Sequence, residues 1–113
     1  KNIEIAKKSD TRYLGHYEIE KFIDLVNQCD MVITTVTMAL HIAIALKKKV
    51  LLLNNVFNRN EFELYNRGEI IEPEVPCLGC YKTSCNLKFN GKKCMELLNI
   101  NEVIKKCRQI LLP

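Results

Sequence analysis

Cys29-Asp30-Met31-Val32-Ile33-Thr34-Thr35-Val36-Thr37-Met38-Ala39-Leu40-His41-Ile42-Ala43-Ile44-Ala45-Leu46 decides the fold. Met31-Val32-Ile33 is a short continuous apolar run, the pattern of a strand covered on both faces of a parallel sheet. From Met38 to Leu46 the chain is apolar nearly all round, which predicts a helix buried on most sides. The threonines lie between the two. A strand that enters a helix through such a turn offers unpaired N–H groups and the positive end of a helix dipole to an anion such as a phosphate. Lys47-Lys48-Lys49 complements the negative end of the helix, and Val50-Leu51-Leu52-Leu53 reads as a second buried strand.

Upstream, Lys1-Asn2-Ile3-Glu4-Ile5 reads as a strand entered midway, which suggests a piece of a longer polypeptide, and residues 7–17 read as a loop. Ile19, Phe22, Ile23 and Val26 follow the i, i+3, i+4, i+7 spacing of one helix face, predicting a half-buried helix over 18–28. Downstream, Asn54–Asn60 is turn-prone, and residues 61–65 suit one or two helical turns closed by Gly68. Glu69–Glu72 suits a short strand, and Pro73 and Pro76 end regular structure. Asn99 with Glu102 three residues on resembles a capping box. It opens a helix over 100–111 that buries Val103, Ile104, Cys107, Ile110 and Leu111. Strands alternating with helices predict an α/β fold, a parallel sheet with helices on both faces.

The chain has 113 residues, 48% of them hydrophobic, which fits one domain with an ordinary core over 1–113. The net charge is +4, but the basic residues are scattered apart from short lysine runs, which argues against a nucleic-acid partner. No apolar run approaches a membrane span, and the N-terminus lacks the regions of a signal peptide. The expected location is cytoplasmic, with at most peripheral contact with the inner face of a membrane.

Three segments carry candidate chemistry. Thr35 and Thr37 can cap the helix or donate to a phosphate oxygen, with the N–H groups of Thr37 and Met38 as further donors. His41, one turn after Thr37, shares its helix face, although a lone histidine on an apolar helix also serves as an ordinary core residue. Asn58-Arg59-Asn60-Glu61-Phe62-Glu63 follows a strand's carboxyl end. Arg59 suits a phosphate, and Glu61 or Glu63 suits sugar hydroxyls; a solvated helix start explains the same residues.

Cys77-x2-Cys80-x4-Cys85-x8-Cys94 gathers four of the six cysteines into eighteen residues. The opening Cys-x-x-Cys fits a zinc knuckle, the wider second spacing departs from zinc ribbons, and a structural Zn2+, reduced thiols and disulfides all stay open. The loop lacks interleaved arginines and has only Tyr81 and Phe89 as stacking aromatics, so it does not read as a nucleic-acid surface. Cys29 and Cys107 sit at apolar-periodic positions and read as small buried hydrophobes.

The run from Phe22 to Val50 resembles the C-terminal domain of glycosyltransferase family 9, which includes the lipopolysaccharide heptosyltransferases. In that family an aspartate precedes an apolar strand, then come Asp-Thr-Gly, a histidine, an Ala-rich helix, Leu-Gly-Lys and another apolar strand. Asp30, Thr37, His41, Ala43, Ala45-Leu46, Lys49 and Val50 hold those places here. The later Cys-x-x-Cys, the Cys-Met and the final amphipathic helix extend the similarity over about residues 9–112.

The resemblance implies the Rossmann-like C-terminal half of a two-domain GT-B enzyme that holds a nucleotide-diphosphate sugar as donor. Thr37, Met38 and His41 would lie at the diphosphate, and Thr11–Tyr17 near the nucleoside. It also implies that the catalytic carboxylate and the site for a glycan, lipid-linked or protein acceptor lie in an N-terminal domain, so the catalytic set here is none and this fragment alone transfers no sugar. Val36 and Met38 depart from the motif's Asp and Gly: one polar contact is lost, and a side chain stands where backbone would approach a ligand.

Overall fold

The computed structural model describes residues 1–112. Its centre is a parallel three-stranded sheet made of β1 (Met31–Thr34), β2 (Lys49–Leu53) and β3 (Gly68–Ile71), in the order β1-β2-β3. Helices flank it: α2 (Ile19–Asn27) packs on α3 (Met38–Ala45), α3 packs on β1 and β2, and α4 (Ile100–Leu111) packs on β2 and β3. The chain is therefore an α/β protein with a parallel sheet, consistent with a Rossmann-like arrangement.

Successive strand side chains point to opposite faces, and the core divides accordingly. Val32, Val50, Leu52 and Ile70 join Val26, Leu40 and Ala43 beneath α2 and α3. Leu51 and Ile71, also buried, belong to the opposite face, the one left for α4. The central strand β2 is covered on both sides, and in β3 Ile70 and Ile71 carry this burial onto the two faces. Ile33 of β1 is 51% exposed, which corrects the expectation of a doubly covered first strand: β1 is an edge strand, and α4 lies over β2 and β3.

The amino-terminal expectation is also corrected. Residues 2–9 form a helix, α1 (Asn2–Ser9), in place of a strand. Glu4 in its first turn and Lys7 and Lys8 in its last complement the dipole, and Glu4 and Lys8 stand one turn apart. Asp10 ends it in the left-handed region, with the Thr11 N–H returning to Ala6 O at 3.0 Å. The alternation of Ile3 and Ile5 suggested a strand, but both side chains stay exposed and the sheet is built from β1, β2 and β3 alone among the described residues.

α3 is less enclosed than its composition suggests. Leu40 and Ala43 are buried, whereas Met38, His41 and Ala45 are exposed. Its lysines come after it: Lys47 takes φ 59°, and the Lys48 N–H closes the helix on Ala43 O at 2.9 Å. Helical turns at 61–65 are replaced by a single 3₁₀ turn, Arg59–Glu61, and by Tyr65 and Asn66 at positive φ.

Gly68 opens β3 and closes no helix; a Cβ there would stand 2.2 Å from Val50 O. In α4, Asn99 Oδ1 accepts the Glu102 N–H at 3.2 Å, the expected cap, but none of the five side chains expected to be buried is: Val103, Cys107 and Ile110 are half-buried, and Ile104 and Leu111 are exposed. Cys29 is exposed too, its thiol directed back to Leu25 O. Among the described residues no helix is long and apolar enough to cross a membrane.

Candidate functional site

The carboxyl ends of β1 and β2 open into a cavity of about 260 Å³, lined by Thr35, Val36, Met95 and the Leu53–Phe57 segment. Helix α3 begins beside it. Parallel strands and the helix that follows them make this end the natural ligand side of an α/β sheet.

Thr37 caps α3 by position only, since its side chain makes no bond to a first-turn N–H. The hydroxyl meets another hydroxyl instead. Thr34 Oγ1 donates its single proton to Thr35 O at 2.9 Å, so in its 3.1 Å contact with Thr37 Oγ1 it accepts and Thr37 donates. Thr37 can meet an anion through its backbone N–H, and no side-chain cap consumes the N–H groups of Met38 and Ala39, whereas the Leu40 N–H donates to Thr37 O at 3.1 Å.

Of the residues singled out from the sequence, Thr35 lines the cavity. Thr37, Met38 and His41 sit on the exposed side of α3's first turns and do not line it. Met38 is 56% exposed, at the position where the Asp-Thr-Gly pattern has glycine. Residues 11–17 are exposed coil away from this cavity.

Arg59 and Glu61 are already engaged. Arg59 Nη1 pairs with Glu72 Oε1 at 3.2 Å, and Glu61 accepts a short hydrogen bond from the Tyr81 hydroxyl. That bond holds the Tyr81 phenol above the ordinary tyrosine value, because ionised Tyr81 would face the Glu61 carboxylate; the Asn58 N–H donated to the same oxygen opposes the rise. Glu63 accepts its own chain's Tyr65 N–H at 2.6 Å.

Asn54 is the residue that sequence reading missed. It follows β2 directly and is 1% exposed. Its Nδ2 donates to Phe57 O at 2.7 Å and to Glu72 Oε2 at 2.8 Å, while its Oδ1 accepts the Phe57 N–H at 3.3 Å. One amide thus fixes the loop after β2 and ties it to the end of β3, and through Glu72 to Arg59. A polar residue directly after an unbroken apolar strand was the available signal.

The cysteine segment is ordered by the same loop. Gly79 N–H donates to Asn55 O and Tyr81 N–H to Val56 O, both at 2.9 Å, with Gly79 and Tyr81 at positive φ. Phe57 packs edge-on against Tyr81 and Phe62. Asn90-Gly91, both at positive φ, make a tight turn closed by the Phe89–Lys92 backbone pair. An Asn-Gly dipeptide is a strong hairpin signal that was there to be read.

All four clustered cysteines, Cys77, Cys80, Cys85 and Cys94, line one cavity of about 490 Å³. All are free thiols. Among the described residues, no three His, Cys, Asp or Glu side chains are close enough together to hold one metal ion. Asn55, Val56 and Met95 form part of both this cavity and the smaller one at the strand ends, so the two adjoin.

Comparison with protein-family models, curated proteins and solved structures finds no match for this chain.

Proposed function

We propose that this chain is the nucleotide-diphosphate-sugar-binding half of a cytoplasmic glycosyltransferase. The transferred sugar, heptose-like or another hexose, would pass to a glycan, lipid-linked or protein acceptor held by a separate domain. The observation that carries the reading is the cavity at the carboxyl ends of β1 and β2, with Thr35 in its wall and the α3 N-terminus beside it. A diphosphate there would meet N–H donors and the favourable end of a helix dipole. Ribose or sugar hydroxyls would face the Asn54–Phe57 backbone. Arg59 and Glu61 act in this reading as supports of that loop, since each already has a partner.

Titration of the protein with nucleoside diphosphates, followed by backbone chemical shifts, tests the proposal. The expected response is confined to Thr34–Leu40 and Asn54–Phe57. Thr35→Val should weaken binding roughly tenfold, the loss of one hydrogen bond to a charged group. No response at millimolar ligand, or salt-dependent binding of an oligonucleotide in its place, overturns the proposal.

A further inference from the structure

On the donor-binding reading above, we infer that the cysteine-lined cavity takes the sugar of the donor, and that this sugar is acidic: a hexuronate or another sugar bearing a carboxylate. The cavity, at about 490 Å³, falls within the roughly 300–1,000 Å³ of small-molecule sites. It shares Asn55, Val56 and Met95 with the cavity at the carboxyl ends of β1 and β2. A sugar bonded to a diphosphate at the strand ends has this cavity directly beside it.

The chemistry of the wall selects the sugar. Lys82 and Lys93 are its charged residues and no carboxylate lines it, whereas Glu72, Glu74 and Glu102 line another cavity of the same chain. An ammonium group only donates hydrogen bonds, and an ionised carboxylate only accepts them. The hydroxyls of a neutral sugar need acceptors for their protons, which this wall supplies only through neutral groups such as Ser84 and Asn86. A carboxylate on the sugar matches both lysines. Neither lysine is already paired: the ion pairs among the described residues are Arg59–Glu72 and Lys106–Glu69. A nucleoside suits the wall less well, because it brings no anionic group and its ribose hydroxyls also call for acceptors.

The remaining wall suits a sugar ring. Leu87, Phe89 and Met95 offer apolar surface to its C–H face, and Thr83, Ser84 and Asn86 offer hydroxyls and an amide to its rim. The four thiols are small and only weak hydrogen-bond partners, so they add contact surface without competing for the carboxylate. Every residue from Lys82 to Lys88 is exposed, which leaves that side of the cavity open to an acceptor.

The test titrates the 113-residue chain with glucose 1-phosphate and with glucuronate 1-phosphate, followed by backbone chemical shifts. These probes do not depend on which nucleoside the site takes. Both should shift Thr34–Leu40 and residues 82–95, with glucuronate 1-phosphate binding about tenfold more tightly, the worth of two exposed lysine–carboxylate pairs. The preference should shrink as salt is added. Lys82→Gln and Lys93→Gln should each weaken glucuronate 1-phosphate about threefold and leave glucose 1-phosphate unchanged; both side chains are exposed, so the fold tolerates the change. At saturation, glucuronate 1-phosphate should also slow alkylation of Cys77, Cys80 and Cys94 in the cavity wall but not of the exposed Cys29, which lies outside it.

Equal affinity for the two sugar phosphates overturns the inference. So does a preference for the acid that survives replacement of both lysines together, or a shift of residues 82–95 by inorganic pyrophosphate alone. In each of these cases a nucleoside diphosphate response at Thr34–Leu40 leaves the donor-binding reading standing. Absence of that response overturns the reading, and the inference with it.

Discussion

Replacing Asn54 with alanine should loosen both cavities at once. The side chain is buried and holds three partners, Phe57 O, the Phe57 N–H and Glu72 Oε2. Glu72 keeps Arg59, so its loss is partial. The two Phe57 backbone groups lose their partner, at about 1–3 kcal/mol each if left dry. Phe57 borders a cavity of about 260 Å³ that can admit water, which places the total near the low end.

The expected loss is therefore about 2–3 kcal/mol, or very roughly 10 °C in Tm for a domain of this size. Urea denaturation followed by far-UV circular dichroism measures it. Asn54→Asp refines the test, because a buried carboxylate beside Glu72 takes a proton more readily folded than unfolded. The folded protein then binds more protons, so this variant's deficit should grow as pH rises above about 4. An Asn54→Ala protein within about 0.5 kcal/mol of the parent would refute the assignment of Asn54 as the tie between the β2 loop and β3.

Two further outcomes rest on separate features. Gly68→Ala forces a methyl group to 2.2 Å from Val50 O, so β3 must move off β2; a loss of about 3 kcal/mol or more is expected in the same assay, and a neutral result would place the strand pairing elsewhere. The Tyr81 phenol should titrate above the ordinary tyrosine value in an ultraviolet absorption titration, and Glu61→Gln should bring it down, since the Glu61 carboxylate is the main cause of the rise; an unchanged midpoint in the variant would remove Glu61 as partner.

How much was legible in the sequence differs by element. The apolar runs of β1 and β2, the one-face spacing of α2 and the Asn99 cap of α4 are local patterns, each complete within a dozen residues. Local patterns also mislead. Ile3 and Ile5 alternate as in a strand, but a strand needs a neighbour to bond with, and Glu4, Lys7 and Lys8 satisfy a helix without one. The apolar composition of α3 suggested burial on most sides, yet Met38, His41 and Ala45 are exposed, and the edge position of β1 leaves Ile33 uncovered on the other face.

The sequence by itself determined the parallel α/β architecture, the hydroxyl-rich entry to α3 and the crowding of four thiols, because backbone periodicity and residue chemistry are local. Only the tertiary structure decided which side chains meet. Asn54 reaches Glu72 across 18 positions and Asn55 reaches Cys94 across 39, and no local pattern encodes such separations. The same long-range closure engaged Arg59 and Glu61 within the loop scaffold. It also left Thr35 in the cavity with Thr37 and His41 outside, and turned a sequence spacing into one sulfur-lined cavity.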